Sequence, residues 1–192
     1  VSEQFWAGDF GKQYTARNRV QWSQRVPFWQ GIIESRPLWP HNILEVGCNA
    51  GWNLNAIRHV DPNIELVGVD VCPEAVDEAA AAGHDVYVMP ASQLENLEET
   101  FDIVFTAGVL IHVPPHELDG VMDAIIAASH RDVLAIEYAA DQEEAVEYRG
   151  HSDKLWRRPF GALYEAKGLT LVETGNAGPG FDRCTYWLMR KP

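Results

Sequence analysis

A short apolar run that breaks into a glycine turn and resumes as a helix restricts the fold of this chain more than any other feature. It is residues 43–54, ILEVGCNAGWNL, read together with residues 66–70, LVGVD. Residues 43–46 are apolar with β-branched character, residues 47–51 form a turn, and residues 52–60 carry helical spacing, so the unit reads strand, loop, helix. Gly47 and Gly51 allow the backbone to approach a ligand without a Cβ clash, and the helix behind them offers unpaired N–H groups. Asp70 ends the next apolar run, residues 64–69, where a carboxylate at a strand tip can accept both hydroxyls of a ribose. In dinucleotide sites such an acid follows the glycine loop by roughly 20 residues, and Asp70 follows Gly47 at a similar interval. The two segments predict a nucleoside-binding α/β unit.

The loop residues narrow the ligand further. A pyrophosphate requires G-x-G-x-x-G, whose middle glycine admits phosphate to the helix start; here Asn49 stands in the middle and the glycines run G-x-x-x-G. Glu45, just before the loop, repels phosphate and can accept a hydrogen bond from an ammonium group, whereas Cys48 reads as a small residue chosen for space. The ligand implied is a nucleoside with a cationic amino-acid tail. On these residues the segment resembles motif I and its successor in class I S-adenosylmethionine-dependent methyltransferases. Residues 101–106, FDIVFT, running into AGVLIHVPP, resemble motif IV of the same family.

The resemblance implies S-adenosyl-L-methionine as cofactor, and a three-layer Rossmann-like α/β fold whose sheet is mostly parallel with one antiparallel strand. It places Glu45, Gly47, Cys48, Asn49 and Gly51 at the glycine loop, Asp70 and Val71 at the ribose, and Ala107 and Gly108 beside the sulfonium. Where many members carry an acid for the adenine amino group, this chain has Ala91, which leaves that recognition to backbone groups and the Ser92 hydroxyl; Ser92 can instead cap a short helix. His112 either faces the acceptor as a proton acceptor or closes its loop by hydrogen bonding.

Length and charge set the remaining bounds. At 192 residues one domain is expected, with residues 1–40 as a helical cap and residues 41–192 as the core. No run approaches the ~18 apolar residues of a membrane span, so no membrane partner is expected. A net charge of −13 opposes nucleic acid as a partner. Cys48, Cys72 and Cys184 are odd in number and lack C-x-x-C spacing, as in a reducing cytosol, and no secretory signal is visible, so a cytoplasmic protein is expected, as monomer or homodimer. His112 and His116 form an H-x-x-x-H pair, but Pro114 and Pro115 forbid a shared helix, so no metal is expected.

The flanking segments supply candidates for the acceptor. In the cap, Trp6, Tyr14 and Arg19 either pack or reach over the site and wall off water, Tyr14 and Arg19 as cofactor-binding candidates and Trp6 at the acceptor, and Pro27 is expected to interrupt the helical stretch up to residue 33, giving two helices or one kinked helix. Glu137 and Tyr138 end the fifth strand at the mouth where α/β enzymes hold substrates; Glu137 there could hold the positive charge of an amine or guanidine. Arg149 and His151, flanking Gly150, read as a clamp for a carboxylate or hydroxyl, or as ties holding the loop to the body. Leu155, Phe160, Leu163 and Tyr164 predict a helix ending at Gly168, followed by a terminal hairpin. Residues 148–160, YRGHSDKLWRRPF, with the opening FWAGDFGKQYTARN, resemble the methyltransferases associated with pseudaminic acid biosynthesis. The expected activity is in-line methyl transfer to nitrogen or oxygen of a small polar metabolite of amino-acid, amine, guanidine or sugar type, with His112 and Glu137 as catalytic candidates and Trp6, Tyr138, Arg149 and His151 at the acceptor. The alternatives are a silent S-adenosylmethionine- or nucleoside-binding module and, weakened by the missing glycine, an NAD-dependent oxidoreductase.

Overall fold

Alternation along the apolar runs decides where each strand's side chains go. In the computed structural model, which describes residues 2–192, strand β1 (Asn42–Val46) sends Leu44 and Val46 into one hydrophobic core and Ile43 into a second on the opposite face. Strand β4 (Phe101–Ala107) is buried along nearly its whole length for the same reason, because helices cover both faces. With β2 (Glu65–Asp70), β3 (Asp85–Val88), β5 (Ser129–Glu137), β8 (Thr170–Asn176) and β9 (Thr185–Arg190) these strands form one sheet in the order β3-β2-β1-β4-β5-β9-β8. Strands β1 to β5 pair in parallel, and β9 runs antiparallel to both β5 and β8. This is the expected three-layer sheet with a single antiparallel strand.

Helices α3 (Val26–Glu34) and α4 (Trp52–Val60) pack on one face through Trp29, Ile32, Ile33, Ala56 and Ile57. Helices α6 (Pro115–Ala128) and α7 (Phe160–Ala166) cover the other through Leu118, Met122, Ile125, Phe160 and Tyr164. Helix α5 (Pro73–Ala81) follows β2. The chain order reverses beside β1, which lies between β2 and β4, so the loops after β1 and β4 leave in opposite directions and open a crevice. At the far end of the sheet Asp132, fully buried, accepts two hydrogen bonds from Arg190 at 2.8 and 3.1 Å.

Several local expectations need correction. The stretch up to residue 33 does divide into two helices, but the break falls between Arg25 and Val26, and Pro27 sits in the first turn of α3, where its missing N–H is not needed. Ahead of it lie α1 (Ser2–Ala7), α2 (Asp9–Arg17) and a 3₁₀ turn, Trp22–Arg25. Leu155 is outside the late helix, which starts only after Pro159. The acidic stretch after β5 contains a short strand, β6 (Glu144–Ala145), paired with β7 (Trp156–Arg157). The two histidines, as expected, share no helix: His112 ends a 3₁₀ turn, Leu110–His112, and His116 belongs to α6, with extended backbone at Val113 and Pro114 between them.

Candidate active site

The crevice is a cavity of about 650 Å³ bounded by the loops after β1, β2, β4 and β5 and roofed by α1 and α2. Its floor begins at the glycine turn. Gly47 has φ +78°, and a Cβ there would lie 2.3 Å from Val109 Cγ2. The N–H groups of Gly47 and Cys48 both donate to the Val69 carbonyl, at 2.7 and 2.9 Å, which fastens the turn to β2. Gly47→Ala is therefore expected to cost about 2–4 kcal/mol of stability, from overpacking plus left-handed strain, read as a shift in the urea midpoint.

Gly51, at φ +76°, ends the turn; a Cβ there would meet His84 Cδ2 at 2.8 Å. It does not line the cavity, and its part is to shape the loop. Asn49 takes φ 46°, stabilised by its own Oδ1 accepting the Ala50 N–H at 2.8 Å. Its backbone N–H donates to Asp70 Oδ2 at 2.8 Å, while Asp70 Oδ1 accepts from Cys72 N–H at 2.9 Å. Burial pushes the Asp70 carboxyl pKa up, and these amides oppose it. Burial also raises the Cys48 pKa, which keeps its sulfur a thiol in the wall.

Glu45 carries the most informative charge. Its side chain is 2 % exposed. Oε1 accepts a hydrogen bond from Asn53 Nδ2 at 2.6 Å, and Asn53 Oδ1 in turn accepts from Arg25 Nη1 at 2.9 Å and Trp29 Nε1 at 3.2 Å. Two donors on Oδ1 fix which way the amide faces. Glu45 Oε2 is buried with no hydrogen-bond partner among the described residues, although the residue lines the cavity. Desolvation raises this carboxyl to about 8. A buried carboxylate oxygen left unsatisfied beside a ligand-sized space fits a cationic ligand group. Sequence reasoning missed Asn53 and Arg25. Asn53 left a trace, a polar residue on the buried side of an amphipathic helix; Arg25 left none.

The loop after β4 contributes Ala107, Gly108 and His112, all lining the cavity. His112 donates from Nδ1 to the Lys154 carbonyl at 2.6 Å, since a carbonyl can only accept, and this puts the remaining lone pair on Nε2. The ring lies 4.4 Å from Trp6 and 5.2 Å from Tyr148, centroid to centroid. Burial lowers its pKa to about 4, so at neutral pH it is an uncharged ring that closes the wall and a weak proton acceptor.

Four candidates do not line the cavity at all. Besides Gly51, Glu137 is fully buried beneath the loop after β4, its carboxylate accepting the N–H groups of Val109, Leu110 and Ile111 at 3.1, 3.1 and 3.3 Å. The strand alternation that buries Val133 and Ala135 on the α6 face carries Glu137 to the same side, away from the mouth. His151 exchanges backbone hydrogen bonds with Tyr148 at 2.8 and 3.0 Å and packs edge-on against Phe5, 5.3 Å between centroids. It therefore ties loop to cap, and only Arg149 of the expected clamp reaches the cavity. Ser92 donates to Glu3 Oε1 at 3.0 Å, docking α1, so adenine would be left to the wall around Ala91 and Met89.

The roof is formed by Trp6, Tyr14, Arg17 and Arg19. Trp6 and Tyr14 meet edge to face at 5.5 Å, and Arg19 is held by an ion pair with Glu78 of α5. Val71 and Tyr138 complete the lining among the expected residues. Asp182, which sequence reasoning did not single out, joins them from the loop before β9 and accepts from the Tyr138 hydroxyl at 3.4 Å.

Comparison with known proteins bears on the same region. Residues 43–145 match the family model described as a methyltransferase domain. No curated protein matches the chain. Among solved structures, magnesium protoporphyrin IX methyltransferase from Synechocystis PCC 6803 with bound SAH matches with a TM-score of 0.76 at 12% identity, over 100% of both chains. The sugar N-methyltransferase from Streptoalloteichus sp ATCC 53650 gives 0.71 at 14% identity over 96% of this chain and 93% of that one. The 1,6-didemethyltoxoflavin-N1-methyltransferase of Burkholderia thailandensis gives 0.72 at 16%, over 94% and 82%. At such identities the likeness is one of fold. The family match, however, covers more than half of the chain and takes in the glycine turn, Asp70 and the loop after β4, so this chain belongs to the methyltransferase domain family and is a class I S-adenosylmethionine-dependent methyltransferase.

Proposed function

We propose that the enzyme methylates a nitrogen or oxygen of a small polar metabolite enclosed beneath the cap. The observation that carries this reading is the roof. Trp6, Tyr14 and Arg17 on one side and Tyr148 and Arg149 on the other close over a cavity of about 650 Å³, within the roughly 300–1,000 Å³ of small-molecule sites. Donor and acceptor must share that space, which disfavours polymers, as does the net charge of −13. The sugar and didemethyltoxoflavin N-methyltransferases, which share the fold, are named for small acceptors too. The resemblance to methyltransferases associated with pseudaminic acid biosynthesis favours the same size class. Three free, buried thiols agree with a cytoplasmic enzyme.

The residues present fit S-adenosylmethionine. Glu45 Oε2 would take the ammonium of its amino-acid tail, Asp70 the ribose hydroxyls, and the backbone of Gly47 and Gly108 the close approach that a Cβ would prevent. When bound, this cofactor supplies a methyl carbon already activated by a sulfonium. The protein's share is then alignment and exclusion of water. Asn53 sets the Glu45 carboxylate, Glu137 sets the loop that carries Gly108, and the aromatic roof keeps bulk water out.

Incubation with S-adenosylmethionine and pooled metabolites is expected to add the mass of one CH₂ to a small component; binding of S-adenosylhomocysteine with no transfer across such a pool would leave the silent module instead. Asp70→Ala is expected to weaken S-adenosylhomocysteine by roughly 10–100-fold, the worth of one or two charge-assisted hydrogen bonds. Unchanged affinity by calorimetry would remove Asp70 from the ribose.

A further inference from the structure

The cofactor residues occupy the side of the cavity at β1 and β2, and the side at β5 and β9 has no assigned ligand. Strand β9 is antiparallel, with Thr185 opposite Glu137, so the residues just before it arrive level with the end of β5. This brings Phe181, Asp182 and Cys184 beside Tyr138, and Tyr14 closes in from α2; all five line the cavity. Asp182 acts electrostatically on both Tyr14 and Tyr138, which locates the three groups together. Burial raises both phenols, Tyr14 to about 12, so each presents a neutral ring and hydroxyl.

Asp182 has φ 51°, and the hydrogen bond it makes is with the Tyr138 hydroxyl at 3.4 Å. The nearby cation Arg25 acts electrostatically on Asp182, but its hydrogen bonds go elsewhere. Arg25 donates from Nε to the Gly180 carbonyl and from Nη1 to Asn53, both at 2.9 Å, and rests on the Phe181 ring. Arg149 and Arg17 stand over the rings of Tyr148 and Phe10 on the cap side. A carboxylate flanked by two neutral phenol rings suits a group that donates N–H bonds and carries positive charge, because the acid supplies charge-assisted acceptors and the ring faces attract a cation. A hydroxyl acceptor could donate a single hydrogen bond to the acid, but it brings no positive charge to the acid or the rings.

We propose that Asp182, with Tyr138 and Tyr14, forms the acceptor subsite and selects a small amine over the corresponding alcohol. This deepens, and rests on, the reading of a methyltransferase for a small enclosed metabolite. Asp182 is a specificity-determining residue here and need not touch the cofactor.

The test uses an isosteric pair, cyclohexylamine (cationic at pH 7) and cyclohexanol, titrated by NMR into the full chain saturated with S-adenosylhomocysteine. The amine is expected to bind roughly 2–5-fold tighter, as an ion pair with an exposed carboxylate implies. D182N is expected to erase that preference while keeping its affinity for S-adenosylhomocysteine. Asp182 lies on an exposed loop; should D182N nevertheless fail to fold, Y138F, which removes only the hydroxyl on Asp182, is expected to narrow the preference. Equal affinity for the two probes, or a preference that survives in D182N, or in Y138F where that variant stands in, overturns the proposal. A wild-type chain that binds no S-adenosylhomocysteine would instead defeat the methyltransferase reading, before the probes are compared.

Discussion

Affinity for S-adenosylhomocysteine is expected to rise with pH between 6 and 8, by roughly 100-fold, and Glu45→Gln to flatten the rise. The sign follows from burial. In the ligand-free protein desolvation holds the Glu45 carboxyl at about 8, so at neutral pH most molecules carry it protonated. An ammonium on Oε2 favours the ionised form, so the bound-state pKa is lower and binding releases a proton. Each pH unit below the free-state pKa then costs about a factor of ten in affinity, until the bound-state pKa is reached. Above about 8 the gain ends. Calorimetry in two buffers of different ionisation enthalpy reads the released proton directly. Glu45→Gln is permanently neutral, releases no proton, and at pH 8 is expected to bind roughly 10–100-fold more weakly than wild type. Asn53→Leu gives a finer result: Glu45 is still present, but its Oε1 loses the 2.6 Å hydrogen bond. That bond favours the charged form, so without it the pH-dependent rise moves to higher pH. A steep profile retained at its original midpoint in both variants would separate Glu45 from the ammonium.

The parts of the site that sequence made legible are those whose geometry is local. Glu45, Gly47, Asn49 and Asp70 sit at the tips of two adjacent parallel strands, so strand period and turn chemistry suffice to bring them together. Asn53 is as local, the second residue of the helix that follows, and was readable in principle. Arg25 and Asp182 were not. Arg25 reaches the site only because α3 packs on the β1 face, and Asp182 only because β9 inserts between β5 and β8. Neither relation is encoded in neighbouring residues. Pro27 shows another limit: a proline breaks a helix or begins one according to which residue takes the first turn, and spacing alone does not decide that. The sheet itself was legible nearly throughout: strands covered on both faces, such as β1 and β4, read as apolar runs, and the more exposed edge strand β3 reads by alternation.

Glu137 is where a sequence reading and the structure predict opposite experiments. An acid at the end of the fifth strand, facing the acceptor, would lose turnover on substitution and leave stability intact. The structure has it fully buried, with its two oxygens accepting three backbone N–H groups of the loop after β4. Removing it strands three buried donors, each costing about 1–3 kcal/mol, with partial recovery as the loop relaxes. Glu137→Ala is therefore expected to lose about 3–5 kcal/mol in urea unfolding, and its Tm to fall by roughly 6–20 °C at this chain length. Glu137→Gln keeps one acceptor oxygen but sets its NH₂ against an N–H, and is expected to lose about 1–3 kcal/mol. The loop also carries Gly108 and His112 into the cavity, so both variants are expected to weaken S-adenosylhomocysteine although Glu137 does not line it. That combination, lower stability together with weaker cofactor binding, is what a positioning residue produces. A variant as stable as wild type, with cofactor affinity intact and only turnover lost, would return Glu137 to the acceptor.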